Sequence, residues 1–149
     1  MLNSLGFLLG EWQALSRPGE PTGGFTFASR LQGWVIVRTN DAEYAATDDR
    51  PAFRHEDLMV IYRDEEENLL ADYYDSEGHV IHYAGQAGEP GRVIFTSLPA
   101  GPGPRFRIGY RLEQDGTLTG TFETASPAQP ESFLPYLAWS AVKAPEDNV

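Results

Sequence analysis

The chain has 149 residues, 41% of them hydrophobic and 22% charged, which suits one domain (residues 1–149) that buries its core without cross-links. Lys and Arg number 11 against 22 Asp and Glu, a formal net charge of −11, so phosphate backbones and anionic lipid are poor partners and neither nucleic acid nor membrane is expected. Cysteine is absent, which excludes disulfides, thiolate metal sites and a cysteine nucleophile.

The opening segment, Asn3 to Leu9, predicts one or two helical turns, capped by Asn3 or Ser4 and stopped by Gly10. It is apolar but has no basic n-region and no cleavage site, so a cytoplasmic location is expected. Glu11 to Leu15 alternates polar and apolar, a strand period. Pro18 to Gly24 reads as a loop, Phe25 to Ala28 resumes the alternation, and Gly33 precedes the strand Trp34 to Thr39.

Asn40 to Ala52 is polar and weakly patterned, long for a β-connection, and predicts a lid or rim segment. Phe53 to Arg63 is a long strand that ends at the acidic turn Asp64 to Asn68. Leu69 to Asp75, His79 to Tyr83 and Val93 to Ser97 follow as strands. Pro99 to Pro104 leads into no helix and is a loop, not a phosphate cradle. In Arg105 to Leu112 the residues Phe106, Ile108, Tyr110 and Leu112 share a face. Asp115-Gly116 is a two-residue hairpin signal joining that strand to Thr117 to Thr124, and the last strand runs from Phe133 to Val142.

These segments make about ten strands in hairpin order, with no room for crossover helices, and such a sheet keeps two exposed edges unless it closes. The fold class is all-β: an antiparallel up-and-down barrel with a short N-terminal helix closing one end, with a two-sheet sandwich as the rival. Phe7-Leu8-Leu9-Gly10-Glu11-Trp12 resembles the Gly-x-Trp opening of the calycin superfamily, the lipocalin and fatty-acid-binding barrels. The chain is most similar to nitrobindin-like and uncharacterised bacterial lipocalin-like domains. Arg54 to Met59 resembles their His-x-Glu stretch, and Leu134 to Trp139 resembles their final strand. That resemblance implies a haem-ligating histidine where this chain has Tyr136, a departure at the residue on which haem binding depends. Tyrosine also ligates ferric haem. No cofactor is expected, and haem stays as an alternative.

The candidate ligand contacts follow from which faces point inward. On the Phe53 strand, His55, Asp57, Met59 and Ile61 share one face. With that face inward, His55 and Asp57 form a ligand-orienting pair or an acid/base couple; a solvated rim pair is the plain alternative. Arg38, on a strand apolar on both faces, is the best single anion anchor if it points inward beside Trp34 and Ile36. Asp72 and Tyr74 share one face and Tyr73 and Asp75 the other, so either tyrosine offers a hydroxyl to the cavity, Tyr74 lines it or packs in the wall, and Asp75 is a turn cap. His82 lies on the face opposite Ile81 and Tyr83. Of the remaining histidines, His79 is three residues from His82 and points to the opposite face, so no metal site is expected. Fatty-acid-binding barrels hold a carboxylate with internal arginine and tyrosine, but Arg105, Arg107 and Arg111 fall on the outward face of their strand.

No Gly-x-Ser-x-Gly elbow and no ordered Ser/His/Asp set is present, so no catalytic residue is assigned. The expected function is binding of a small, mainly apolar or amphipathic molecule inside the barrel. Met59, Tyr74, Phe106, Tyr110, Phe122 and Trp139, with Trp34 or its neighbours, would line the cavity. Arg38, His55, Asp57, His82 or Tyr136 would supply polar contacts. The alternatives are a haem protein acting on nitrogen or oxygen species, a small barrel enzyme using His55 and Asp57, and a filled structural barrel. An outward aromatic near Trp34 would favour a homodimer.

Overall fold

The computed structural model describes the whole chain except residues 17, 19–21, 100 and 146–149. A 3-10 helix, Asn3–Leu8, leads into ten strands: β1 Gly10–Ala14, β2 Thr22–Arg30, β3 Val35–Tyr44, β4 Phe53–Arg63, β5 Leu69–Asp75, β6 Val80–Gln86, β7 Arg92–Ser97, β8 Arg105–Leu112, β9 Leu118–Ala125 and β10 Leu134–Lys143. Each strand pairs antiparallel with its neighbour in the chain, and β1 pairs with β10, so the sheet closes into a barrel. Closure gives every strand two partners and removes the edges an open sheet would expose.

Odd-numbered strands run away from the N-terminal helix and even-numbered strands return, so the turns after β2, β4, β6 and β8 lie at the helix end. That end is sealed. Leu5 and Leu8 of the helix are fully buried, the Leu2 amide donates to Gly33 O (3.4 Å), and the Trp12 indole Nε1–H donates to Leu8 O (2.8 Å). Trp12 stacks on Phe25 with ring centroids 6.5 Å apart, and Phe27, Ile36, Ile61, Ala71 and Leu118 fill the space above the helix. Among the described residues no helix is long and apolar enough to cross a membrane.

Several local expectations are corrected. The helix has no side-chain cap: Leu2 occupies the N-cap position, and neither Asn3 nor Ser4 caps it. Thr22 to Gly24 belong to β2, while the rest of the Pro18 to Gly24 loop lies largely outside the described residues, as does Ala100 of Pro99 to Pro104. Asn40 to Tyr44 extend β3 because they pair in register with Phe53 to Asp57, which leaves a short turn with a bridge between Thr47 and Arg50. The β8–β9 hairpin is longer than two residues: the Glu113 amide donates to Thr117 O (2.8 Å) around Gln114, Asp115 and Gly116. Gly116 there adopts φ +86°, a left-handed conformation that glycine takes without cost.

Candidate functional site

β4 shows the alternation that fixes the inner wall: Asp57, Met59 and Ile61 are buried, Leu58 is exposed, and His55 shares the inner face. In β3 the matching inward residues are Ile36, Arg38 and Asn40, because Arg38 lies opposite Met59 and Asn40 opposite Asp57. In β5 they are Ala71, Tyr73 and Asp75, opposite Ile61, Met59 and Asp57.

Those three strands place a connected polar group inside the barrel. Arg38 Nη1 donates to Asp57 Oδ1, and both side chains are buried. Asn40 Nδ2 donates to Asp57 Oδ2 (3.0 Å), and His55 Nε2 lies 3.1 Å from the same oxygen. His55 Nδ1 lies 3.2 Å from Glu77 Oε1, so the ring stands between two carboxylates; a neutral imidazole donates to one of them and an imidazolium to both. The Tyr73 hydroxyl donates to Asp75 Oδ2 (3.1 Å) and also lies 3.4 Å from His55 Nε2. Asp75 Oδ1 accepts from the amides of Glu77 (2.9 Å) and His79 (3.0 Å), so Asp75 caps its turn as expected and faces inward as well.

The electrostatics follow from burial and pairing. Burial alone would lower Arg38, but Tyr110, the Asp57 carboxylate and Tyr73 hold it above its ordinary value, and the guanidinium stays charged. Burial alone would raise Asp75, but the bonds from His79, Glu77 and Tyr73 hold its carboxyl below the usual range. The Tyr110 phenol is pushed up to about 12 by burial, with Asp57 adding to the shift and Arg38 opposing it. Tyr73 and Tyr83 are raised as well, chiefly by burial.

Arg38 reaches across the interior. Its Cζ lies 5.4 Å from the Phe25 ring centroid and 6.0 Å from that of Tyr110 on β8. Tyr110 packs edge-on against Phe27 (5.3 Å) and Trp139 (6.1 Å). Trp139 crosses the face of β9 at Gly120, where a Cβ would lie 2.2 Å from the indole Cε2. Nearer the open end, Phe106 stacks on Phe122 at 5.6 Å and Phe122 meets Tyr136 edge-on at 6.0 Å. On the other side of that mouth Tyr44 stacks on Phe53 at 4.6 Å.

No family model matches this chain, and no curated protein does.

The expected contacts divide by position. Arg38, His55, Asp57, Met59, Phe106, Tyr110, Phe122 and Trp139 point into the barrel. Tyr74 and His82 do not: Tyr74 is 42% exposed on the outer wall, and His82 sits outside with Nδ1 2.7 Å from Asp72 Oδ1. Tyrosines at both 73 and 74 hid the register, and the pairing of Tyr73 with Met59 turns Tyr73 inward instead. Trp34 is 58% exposed at the sealed end, and Leu112 is also exposed, so neither lines the interior. Arg105 and Arg107 are outward as expected, over Phe133. Tyr136 is the extra residue of a β-bulge in β10, 67% exposed at the mouth. Its ring meets Phe122 edge-on. Asn40, Tyr73 and Asp75 complete the polar group; Asn40 and Asp75 were not among the expected contacts, and of the two tyrosines considered it is Tyr73 that turns inward. The inner-face registry with Asp57 was the signal that could have found them.

Proposed function

We propose that this barrel is a calycin-like binding protein that takes a small, mainly apolar molecule through the end opposite the N-terminal helix. One observation carries the reading. Tyr73, Ile81, Phe106, Ile108 and Trp139 all face the interior and pack on the core, yet they are only partly buried. Solvent therefore reaches apolar side chains on the inside of a barrel whose other end is sealed by Leu5 and Leu8. A concave apolar wall with a few converging polar groups is the ordinary form of a small-molecule site. Asp57, His55 and Tyr73 are the polar groups here, and burial of apolar area at roughly 25 cal/mol per Å² would drive binding.

The outer wall offers a competitor, a shallow groove among Thr26, Thr39, Leu58 and Tyr74. Titration with the neutral fluorophore N-phenylnaphthylamine separates the two. Binding that is lost in Ile108→Lys and kept in Leu58→Lys supports the interior. Binding lost in Leu58→Lys and kept in Ile108→Lys places the ligand on the wall and ends this reading.

A further inference from the structure

From two buried donors and the charge around them we infer that the interior takes a neutral molecule whose inner end is a hydrogen-bond acceptor, such as a ketone, ester or amide, and not a carboxylate or an amine. This rests on the interior reading proposed above. Arg38 Nε and the Tyr110 hydroxyl are buried without a hydrogen-bond partner. The two side chains come from opposite walls, β3 and β8, and approach each other inside the barrel, with the guanidinium Cζ 6.0 Å from the Tyr110 ring centroid. Two other arginine atoms are similarly unpartnered, Arg105 Nε and Arg107 Nε, but they lie on the outer wall against Phe133. A buried donor left unpaired forfeits its water without replacement, so an acceptor placed between Arg38 and Tyr110 relieves two such costs together.

Charge decides what kind of acceptor. An inward arginine on its own would favour an anion, but Asp57 already bonds this one. The same interior layer carries Asp75, whose carboxyl is buried and bonded by Tyr73, and Glu77 stands above it beside His55. The fixed charges are thus one guanidinium against three carboxylates. A second anion brought to Arg38 would be buried beside Asp57 and would compete with it for the same guanidinium. A cationic head would be drawn to carboxylates that Arg38, Asn40, His55 and Tyr73 already bond, and it supplies no acceptor to Arg38 Nε. A neutral carbonyl supplies lone pairs and no charge.

The test is displacement of N-phenylnaphthylamine at neutral pH by four ten-carbon compounds: decan-2-one, decanamide, decanoate and decylammonium. The ketone and the amide should displace the probe at concentrations about tenfold below the two ions, the size of one net hydrogen bond. Tyr110→Phe removes a single unpartnered oxygen and should fold, and in it that advantage should shrink severalfold. In Asp57→Asn, where Arg38 keeps its charge and loses its counter-ion, decanoate should gain on the ketone. Tighter binding of decanoate or decylammonium to the unaltered protein overturns the inference and leaves the interior reading standing. Equal displacement by all four, unchanged in Tyr110→Phe, also overturns it, because water then serves the two donors. If nothing displaces the probe, or Ile108→Lys leaves its binding intact, both readings fall.

Discussion

Asp57 on β4 bonds Arg38 on β3 inside the barrel, two residue positions apart across the pair of strands, because Asp57 lies opposite Asn40 and Arg38 opposite Met59. The pair is therefore diagonal on the inner face, which lets the guanidinium extend toward β8 while one of its nitrogens stays bonded. Removing Asp57 leaves the buried guanidinium without its counter-ion, and removing Arg38 leaves the Asp57 carboxylate to Asn40 and His55. Arg38→Met and Asp57→Ala should each lower the unfolding free energy by about 3–5 kcal/mol, and the double variant should cost less than the sum. Urea unfolding of the four proteins measures this, and strict additivity would show that the two side chains act independently.

Asp75 sets an acid limit on the turn between β5 and β6. Its carboxyl titrates below the ordinary value in the folded protein, so the stability it contributes is complete above about pH 4 and is lost as pH falls through the lower folded value. Urea midpoints measured from pH 5 downward should therefore fall more steeply for the unaltered chain than for Asp75→Asn. Parallel slopes would contradict the bonds drawn to Tyr73, His79 and Glu77.

Tyr110 gives the corresponding alkaline limit. Its phenol is raised to about 12 by burial, so its contribution is present up to its ordinary value near 10 and is lost as pH climbs toward the folded value. Ultraviolet titration of tyrosinate should show a late step that Tyr110→Phe removes. The same variant should be as stable as the parent or slightly more so, since the hydroxyl it deletes has no partner.

Gly120 is required by the indole beside it. An alanine Cβ there would lie within 2.5 Å of three atoms of the Trp139 ring, so Gly120→Ala must push Trp139 off β9. The expected cost is about 1–3 kcal/mol, with a changed tryptophan emission spectrum. Gly78→Ala, with nothing within 4 Å of the added carbon, should leave that spectrum alone.

Much of the architecture was legible in the order of residues. The alternation in β4 placed His55, Asp57, Met59 and Ile61 on one face, and they share the inner face. The alternation in β8 put Phe106, Ile108 and Tyr110 inside and the arginines outside. Where a strand carries similar residues on both faces, periodicity has nothing to grip. β5 offers Tyr73 and Tyr74, and only its register against β4 decides between them. Asn40 looked like loop because polar residues are expected at turns, but inside this barrel it is a donor to Asp57. The bulge at Tyr136 depends on how β9 and β10 accommodate Phe122, a relation between strands that no local pattern contains.

Trp12 lies opposite Lys143, and Ala14 opposite Ala141, so the first strand of this protein is held by the last. During synthesis β1 has only β2 beside it until β10 emerges, and up to that moment the sheet has two unpaired rims, on β1 and on β9. The seam is both the last joint made and the natural place for two copies to trade strands at high concentration. A chain arrested before β10 should be captured by chaperones or self-associate, whereas the completed ring has no strand left to offer.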